Sequence, residues 1–226
     1  NLVFGGFLIG VFAVVVGGAM FISIPFVQWL YPAATVGSVV GNIKVSSFFR
    51  SVGSTVSTWK KIDFVDNFKL MPVAFLGTVI GAASISHISQ KWMLPAILSA
   101  IAFTVYAPKL AKKITNKTFA IAAFITGIYS GVLGAGIGVM LVALLRLKHP
   151  HDEKIGHVKI QARFCEFILT VSAVITHFFS GNLIAALWIP LSIGALAGGY
   201  VGGIVLHKMG EMPGKVQKAI LYAFFC

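Results

Sequence analysis

The chain has 226 residues, 58% of them apolar and only 11% charged, with a mean hydropathy of +0.92. Soluble domains are about a quarter charged, so this composition excludes a soluble globular protein and describes a polytopic membrane protein. Eighteen Lys and Arg against six Asp and Glu give +12. No basic run interleaved with aromatics occurs, which argues against nucleic acid and leaves membrane topology and anion handling as the uses of that charge.

A spanning helix takes about 20 apolar residues. In chain order the candidate segments are 2–30, 33–58, 70–87, 92–108, 119–147, 156–180, 183–206 and 216–226. The reading is an all-α integral membrane protein of about eight hydrophobic segments, multi-pass, with one transmembrane domain over 1–226. The chain starts at Asn1 and stops inside the apolar run 219–226, the pattern of a piece of a longer protein. Segment 1 has a glycine-rich centre at Gly17-Gly18, and segment 5 has one at Gly134-Ala135-Gly136-Ile137-Gly138. Segment 2 opens on Gly41-Asn42-Ile43-Lys44-Val45-Ser46, and segment 6 repeats that pattern 115 residues later as Gly156-His157-Val158-Lys159-Ile160-Gln161. Segments 3 and 7 begin at Pro72 and Pro190 and run into Gly77/Gly81 and Gly194/Gly198, small residues four apart that let helix backbones approach closely in lipid. Three landmarks recurring in order divide the chain into two four-segment halves, 1–115 and 116–226.

Loop charges set orientation. The loops after segments 1, 2 and 3 hold no cation, then Lys60, Lys61 and Lys69, then Lys91; those after 5, 6 and 7 hold Arg146, Lys148 and Lys154, then none, then Lys208, Lys215 and Lys218. The pattern inverts, and the linker with Lys109, Lys112, Lys113 and Lys117 belongs in the cytoplasm. Inversion over a parallel arrangement requires segments 1 and 5 to enter and leave on one side, broken at their glycines, with half-helices expected at 119–133 and 139–147. Glycine supplies the backbone angles of such a break, and broken helices in inverted repeats are a recurrent transporter plan with a site near the midplane.

These landmarks resemble the TauE/SafE family of sulfite exporters. The resemblance lies in Val16-Gly17-Gly18-Ala19-Met20-Phe21-Ile22-Ser23-Ile24-Pro25, the Gly41 motif, Leu70-Met71-Pro72 and its glycines, and the second copy over 127–140 and at Gly156. The family's Gly-x-Gly-Gly-Gly is only partly kept. The resemblance implies transport of sulfite, a sulfonate or a related small sulfur oxyanion across the cytoplasmic (inner) membrane; a carrier needs no cofactor.

The residues themselves supply candidates. Asn42, Ser46 and Arg50 stand at i, i+4, i+8, and His157 and Gln161 repeat the first two; Lys159 and Arg163 form an adjacent stripe, with Glu166 three residues on. Oxyanions need donors: a guanidinium offers a fork, and a half-helix N-terminus adds N–H groups and a favourable dipole. The substrate is therefore expected between the breaks at Gly17, Gly18, Gly134 and Gly136 and the polar stripes of segments 2 and 6. The substrate-binding set is Arg163, Arg50, Asn42, Ser46, His157 and Gln161 with those glycines. Plainer roles stand beside these. Lys44 and Lys159 either serve the anion or snorkel to a membrane surface. Intramembrane Arg50 and Arg163 are functional by default. Glu166 is either the ion-pair partner of Arg163 or a coupling group, and Asn42, Ser46 and Gln161 are either ligands or interhelical glue. His157 is either a ligand or a solvated group, and His177 reads as interfacial. Trp29, Tyr31, Trp59, Trp92 and Trp188 fit aromatic belts.

The reading is a secondary transporter working by alternating access, not an enzyme, with no metal site, no cofactor and no nucleic acid. Its partners are the anion and the bilayer, and a homo-oligomer is compatible with this. The rivals are an anion channel using the same residues, a structural subunit, and a membrane thiol redox protein. Cys165 and Cys226, in no CxxC pair, do not support the last.

Overall fold

A computed structural model describes residues 2–63, 71–85, 118–134, 136–148 and 155–211, with scattered residues between 87 and 115. Segment 8, about half of segment 4 and Lys69, Lys109, Lys112, Lys113, Lys117, Lys154, Lys215, Lys218, His149, His151 and Cys226 lie outside the described residues.

Glycine decides where the first long segment stops being helical. Helix α1 (Leu2–Val15) gives way at Gly17 and Gly18, whose φ of 101° and 70° no helix accommodates, and α2 (Met20–Leu30) starts directly after. The same event recurs between α5 (Phe119–Val132) and α6 (Ile137–Lys148), where Gly134 and Gly136 have φ of 66° and 77°. Both expected breaks are present, the second within two residues of the expected half-helix ends. The remaining helices are α3 (Val36–Thr58), capped by the Thr35 side chain on Ser38 N–H, α4 (Met71–Ile85), α7 (Ile155–Phe179) and α8 (Ala185–Glu211). No strand occurs among the described residues. Segment 7 starts five residues before Pro190, which lies inside α8; Pro72 does sit in the first turn of α4.

Only His157–Phe179 and Ala185–Lys208 are, among the described residues, long and apolar enough to cross a bilayer by themselves. The broken segments supply shorter pieces, and α3 dilutes its apolar content with Asn42, Lys44, Arg50 and a run of Ser and Thr. The outer faces are nonetheless apolar. Phe4 and Leu8 on α1, Leu76 and Ile80 on α4, Ile121 and Ile125 on α5, and Ile189, Ile193, Leu196, Tyr200 and Ile204 on α8 are all exposed at helical spacing. Water would not tolerate that much exposed apolar surface; lipid does. Trp29, Trp59 and Trp92 stand exposed at element ends, as belt residues do.

Packing crosses between the two halves of the chain. Helix α8 lies against α1 and α3, while α4 lies against α5 and α7; α3 and α7 meet in the middle. The α4–α5 contact is backbone on backbone: a Cβ on Gly77 or Gly81 would collide with the carbonyls of Phe124 or Ile128, and one on Gly127 or Gly131 with those of Ala74 or Thr78. The α1–α8 contact has the same form, with Gly194 and Gly198 against the carbonyls of Val3 and Phe7. The glycines four apart thus do what their spacing predicts. Two apolar clusters follow the same exchange. One joins α2, α3 and α8 through Ile24, Val40 and Leu187; the other joins α6, α7 and α4 through Leu141, Cys165 and Ala74.

Candidate functional site

Helices α3 and α7 carry the buried charge, and their contact is pinned by Phe48 stacked on Phe167 with ring centroids 5.6 Å apart. Around that contact Arg50 from α3 and Arg163 and Glu166 from α7 converge, all buried. Glu166 uses one oxygen for each arginine: Arg50 Nη2 donates to Oε1 at 2.5 Å, and Arg163 Nη1 donates to Oε2. Glu166 also lies within Coulombic reach of Lys44. Two buried guanidiniums share one carboxylate, so the cluster carries a positive surplus. The Nε–H groups of both arginines have no acceptor among the described residues.

These groups line a small pocket with room for about one water-sized body. The rest of its wall is Gly18, Ala19 and Met20, where α2 begins, and Gly136, Ile137 and Gly138, where α6 begins, with Gly134 and Ala13. Two half-helix N-termini therefore face one pocket. The first N–H groups of each helix lack intrahelical acceptors and carry the positive end of the dipole. Gly17 adjoins the pocket, a Cβ there falling 3.8 Å from Arg163 Nη2. At Gly138 a Cβ would press on the Arg163 guanidinium, so the glycine leaves the arginine its place. This arrangement is chemically suited to holding a small anion.

The other polar groups singled out in the sequence are placed elsewhere. Asn42 faces the turn between α7 and α8: its Nδ2 donates to Ser38 O and Asn182 O, and its Oδ1 accepts from Ile184 N–H at 2.9 Å. Ser46 donates to Leu191 O. Gln161 donates to Lys61 O at 2.7 Å, accepts from Asp63 N–H at 3.0 Å, and lies 3.1 Å from His157 Nε2. All four fasten helices or loop ends and are not brought to the pocket. His177 is buried rather than interfacial, its Nδ1 3.2 Å from Asn182 Nδ2 and its ring against Gly41.

The motif lysines hold the feature least visible beforehand. Lys44 does not snorkel; it is 2% exposed and donates to the Ser130 carbonyl in the last turn of α5. Lys159, at the same place in the second copy, donates to the Val15 carbonyl, the last residue of α1, at 3.0 Å. Each lysine thus caps the C-terminus of the half-helix broken in the other half of the chain, where unsatisfied carbonyls and the negative dipole end attract a cation.

Fold and site together define a helical membrane protein with a buried, cation-rich pocket at two helix breaks, a class suited to moving small anions. The chain matches the family model for sulfite exporter TauE/SafE over residues 2–226 and belongs to that family, whose members are membrane transporters rather than enzymes. No curated protein and no solved structure matches it.

Proposed function

We propose that this chain is a secondary transporter that carries a small sulfur oxyanion, sulfite or a related sulfonate or thiosulfate-like species, through the cytoplasmic membrane by alternating access. The observation that carries this reading is the pocket itself, with two half-helix N-termini and two buried arginines around a single carboxylate. An oxyanion there would take N–H donors from Gly18, Gly136 and their neighbours and the open edges of Arg50 and Arg163. Glu166 occupies the guanidiniums while the site is empty and is the natural coupling group: neutralising or displacing it frees both arginines for substrate.

The two halves, 1–115 and 116–226, are read as an inverted repeat. Support comes from contacts that occur in matched pairs: α1–α8 with α5–α4, α3–α8 with α7–α4, α2–α3 with α6–α7, and Lys159 on α1 with Lys44 on α5. Alternating access in such proteins is the movement of one half against the other around a fixed site.

The test is flux of sulfite, thiosulfate, sulfate and alkylsulfonates into reconstituted liposomes, with wild type and Arg163→Ala. Saturable movement of one sulfur anion, reduced by about 10- to 100-fold in the variant, is expected, since a hydrogen bond to a charged group contributes about 1.5–3 kcal/mol. Unsaturable conductance would identify a channel instead. Absence of flux for every sulfur anion would overturn the substrate assignment.

A further inference from the structure

Arg163 lines a second cavity besides the pocket at the helix breaks. This chamber is about 240 Å³, large enough for an oxyanion with part of its hydration shell, and its apolar wall is Val16, Val139, Val142 and Ala162. Lys159 and Arg163 are its charged lining residues; no acid lines it among the described residues. The ammonium of Lys159 has three donors, one of which goes to Val15 O. Arg163 sends Nη1 to Glu166, on the side of the pocket at the helix breaks. Two like charges on one low-dielectric wall repel each other and project a positive field into the cavity. Lys44, the partner of Lys159 in the duplicated motif, is sealed from any such space. The two copies of one motif are therefore used differently: one lysine only caps a helix, and the other caps a helix and faces a chamber.

We propose that this chamber is an outer docking site for a small oxyanion, anchored by Lys159, from which the anion is handed through Arg163 to the pocket at the helix breaks. Its purpose rests on the anion-transport reading, but its charge selectivity is measurable without any flux.

The experiment uses the purified full chain with Val142→Cys, which lies half-buried in the chamber wall, in a Cys165→Ala, Cys226→Ser background. Its thiol is reacted with a sulfonate-bearing and a trimethylammonium-bearing methanethiosulfonate, each rate divided by that of a free thiol. The anionic reagent is expected to be preferred about tenfold, the scale of one unit charge a few ångströms away in a partly shielded site. Excess sulfate should slow the anionic reagent, Lys159→Gln should remove the preference, and Lys44→Gln should leave it in place. Equal rates for the two reagents, no labelling at all, or a preference that survives Lys159→Gln would overturn the proposal. Val139→Cys, on the same wall, serves if the first variant does not fold. A Lys159-dependent preference in a protein that moves no sulfur anion would uphold the docking site while sinking the transport reading.

Discussion

Glu166→Gln keeps the shape of the side chain and removes its charge, and the structure allows the cost to be worked out. Arg50 Nη2 lies 2.5 Å from one carboxylate oxygen and Arg163 Nη1 bonds the other, with both side chains no more than 7% exposed. Unpairing a buried ion pair by neutralising one partner costs about 3–5 kcal/mol, because the remaining charge stays desolvated. Here two guanidiniums are left uncompensated, with Lys44 nearby. For a chain of this size each kcal/mol moves Tm by about 2–4 °C, so a loss of about 6–20 °C is expected. The four tryptophans provide the fluorescence signal for a thermal melt in detergent. An oxyanion that enters the pocket and supplies the missing negative charge should reverse much of the loss, since ligand at 100 times its Kd contributes about 2.7 kcal/mol. Sulfate or thiosulfate should therefore raise the Tm of Glu166→Gln well above what it does for wild type, where the anion must first displace Glu166. A variant that melts with wild type and ignores anions would refute both the charge surplus and the idea that the carboxylate stands in for substrate.

The remaining predictions concern how the helices are held. Gly127→Ala and Gly194→Ala should each cost about 3 kcal/mol in a thermal melt, because the new methyl meets backbone that cannot swing away. Gly181→Ala, with open space around it and φ of 68°, should lose only the left-handed penalty of about 1–2 kcal/mol. Lys44→Met leaves the Ser130 carbonyl without its donor and should cost about 1–3 kcal/mol together with a lower maximal flux. Asn42→Ala should lower Tm by the equivalent of about 1–2 kcal/mol yet leave KM for the anion unchanged; a large KM effect would return Asn42 to the substrate path.

Much of this architecture could be read from the residues. The glycine clusters located both breaks because glycine adopts the angles found at Gly17 and Gly134 without the penalty other residues meet there, and the glycine pairs on segments 3 and 7 marked close helix contacts. The stripe drawn through Asn42, Ser46 and Arg50 misled for a geometric reason. At 3.6 residues per turn, each step of four overshoots a full turn by about 40°, so Arg50 points about 80° away from Asn42. One helix can thus offer its amide to the turn before α8 and its guanidinium to α7. The lysines were flagged by their duplicated motif, but their partners are backbone carbonyls 86 and 144 residues away, and carbonyls leave no trace in a sequence. The exchange of α4 and α8 between halves was equally hidden, since apolar periodicity shows that a face is buried without saying against which neighbour.

That exchange has a consequence for biosynthesis. Helix α1 is the first described helix to leave the ribosome, and the glycine face it needs is on α8, which begins at Ala185. At translation speeds of about 5–20 residues per second, α1 waits roughly 10–40 seconds for its neighbour. Within its own half α1 touches α3 and the Phe26 ring of α2, but the backbone-on-backbone seat for Gly10 is supplied by α8. During that interval its small-residue face must be shielded by lipid or by the insertion machinery, so α1 is a membrane resident before it is part of a fold. Substitutions on that face would then be felt first as failed assembly, and only afterwards as lost transport.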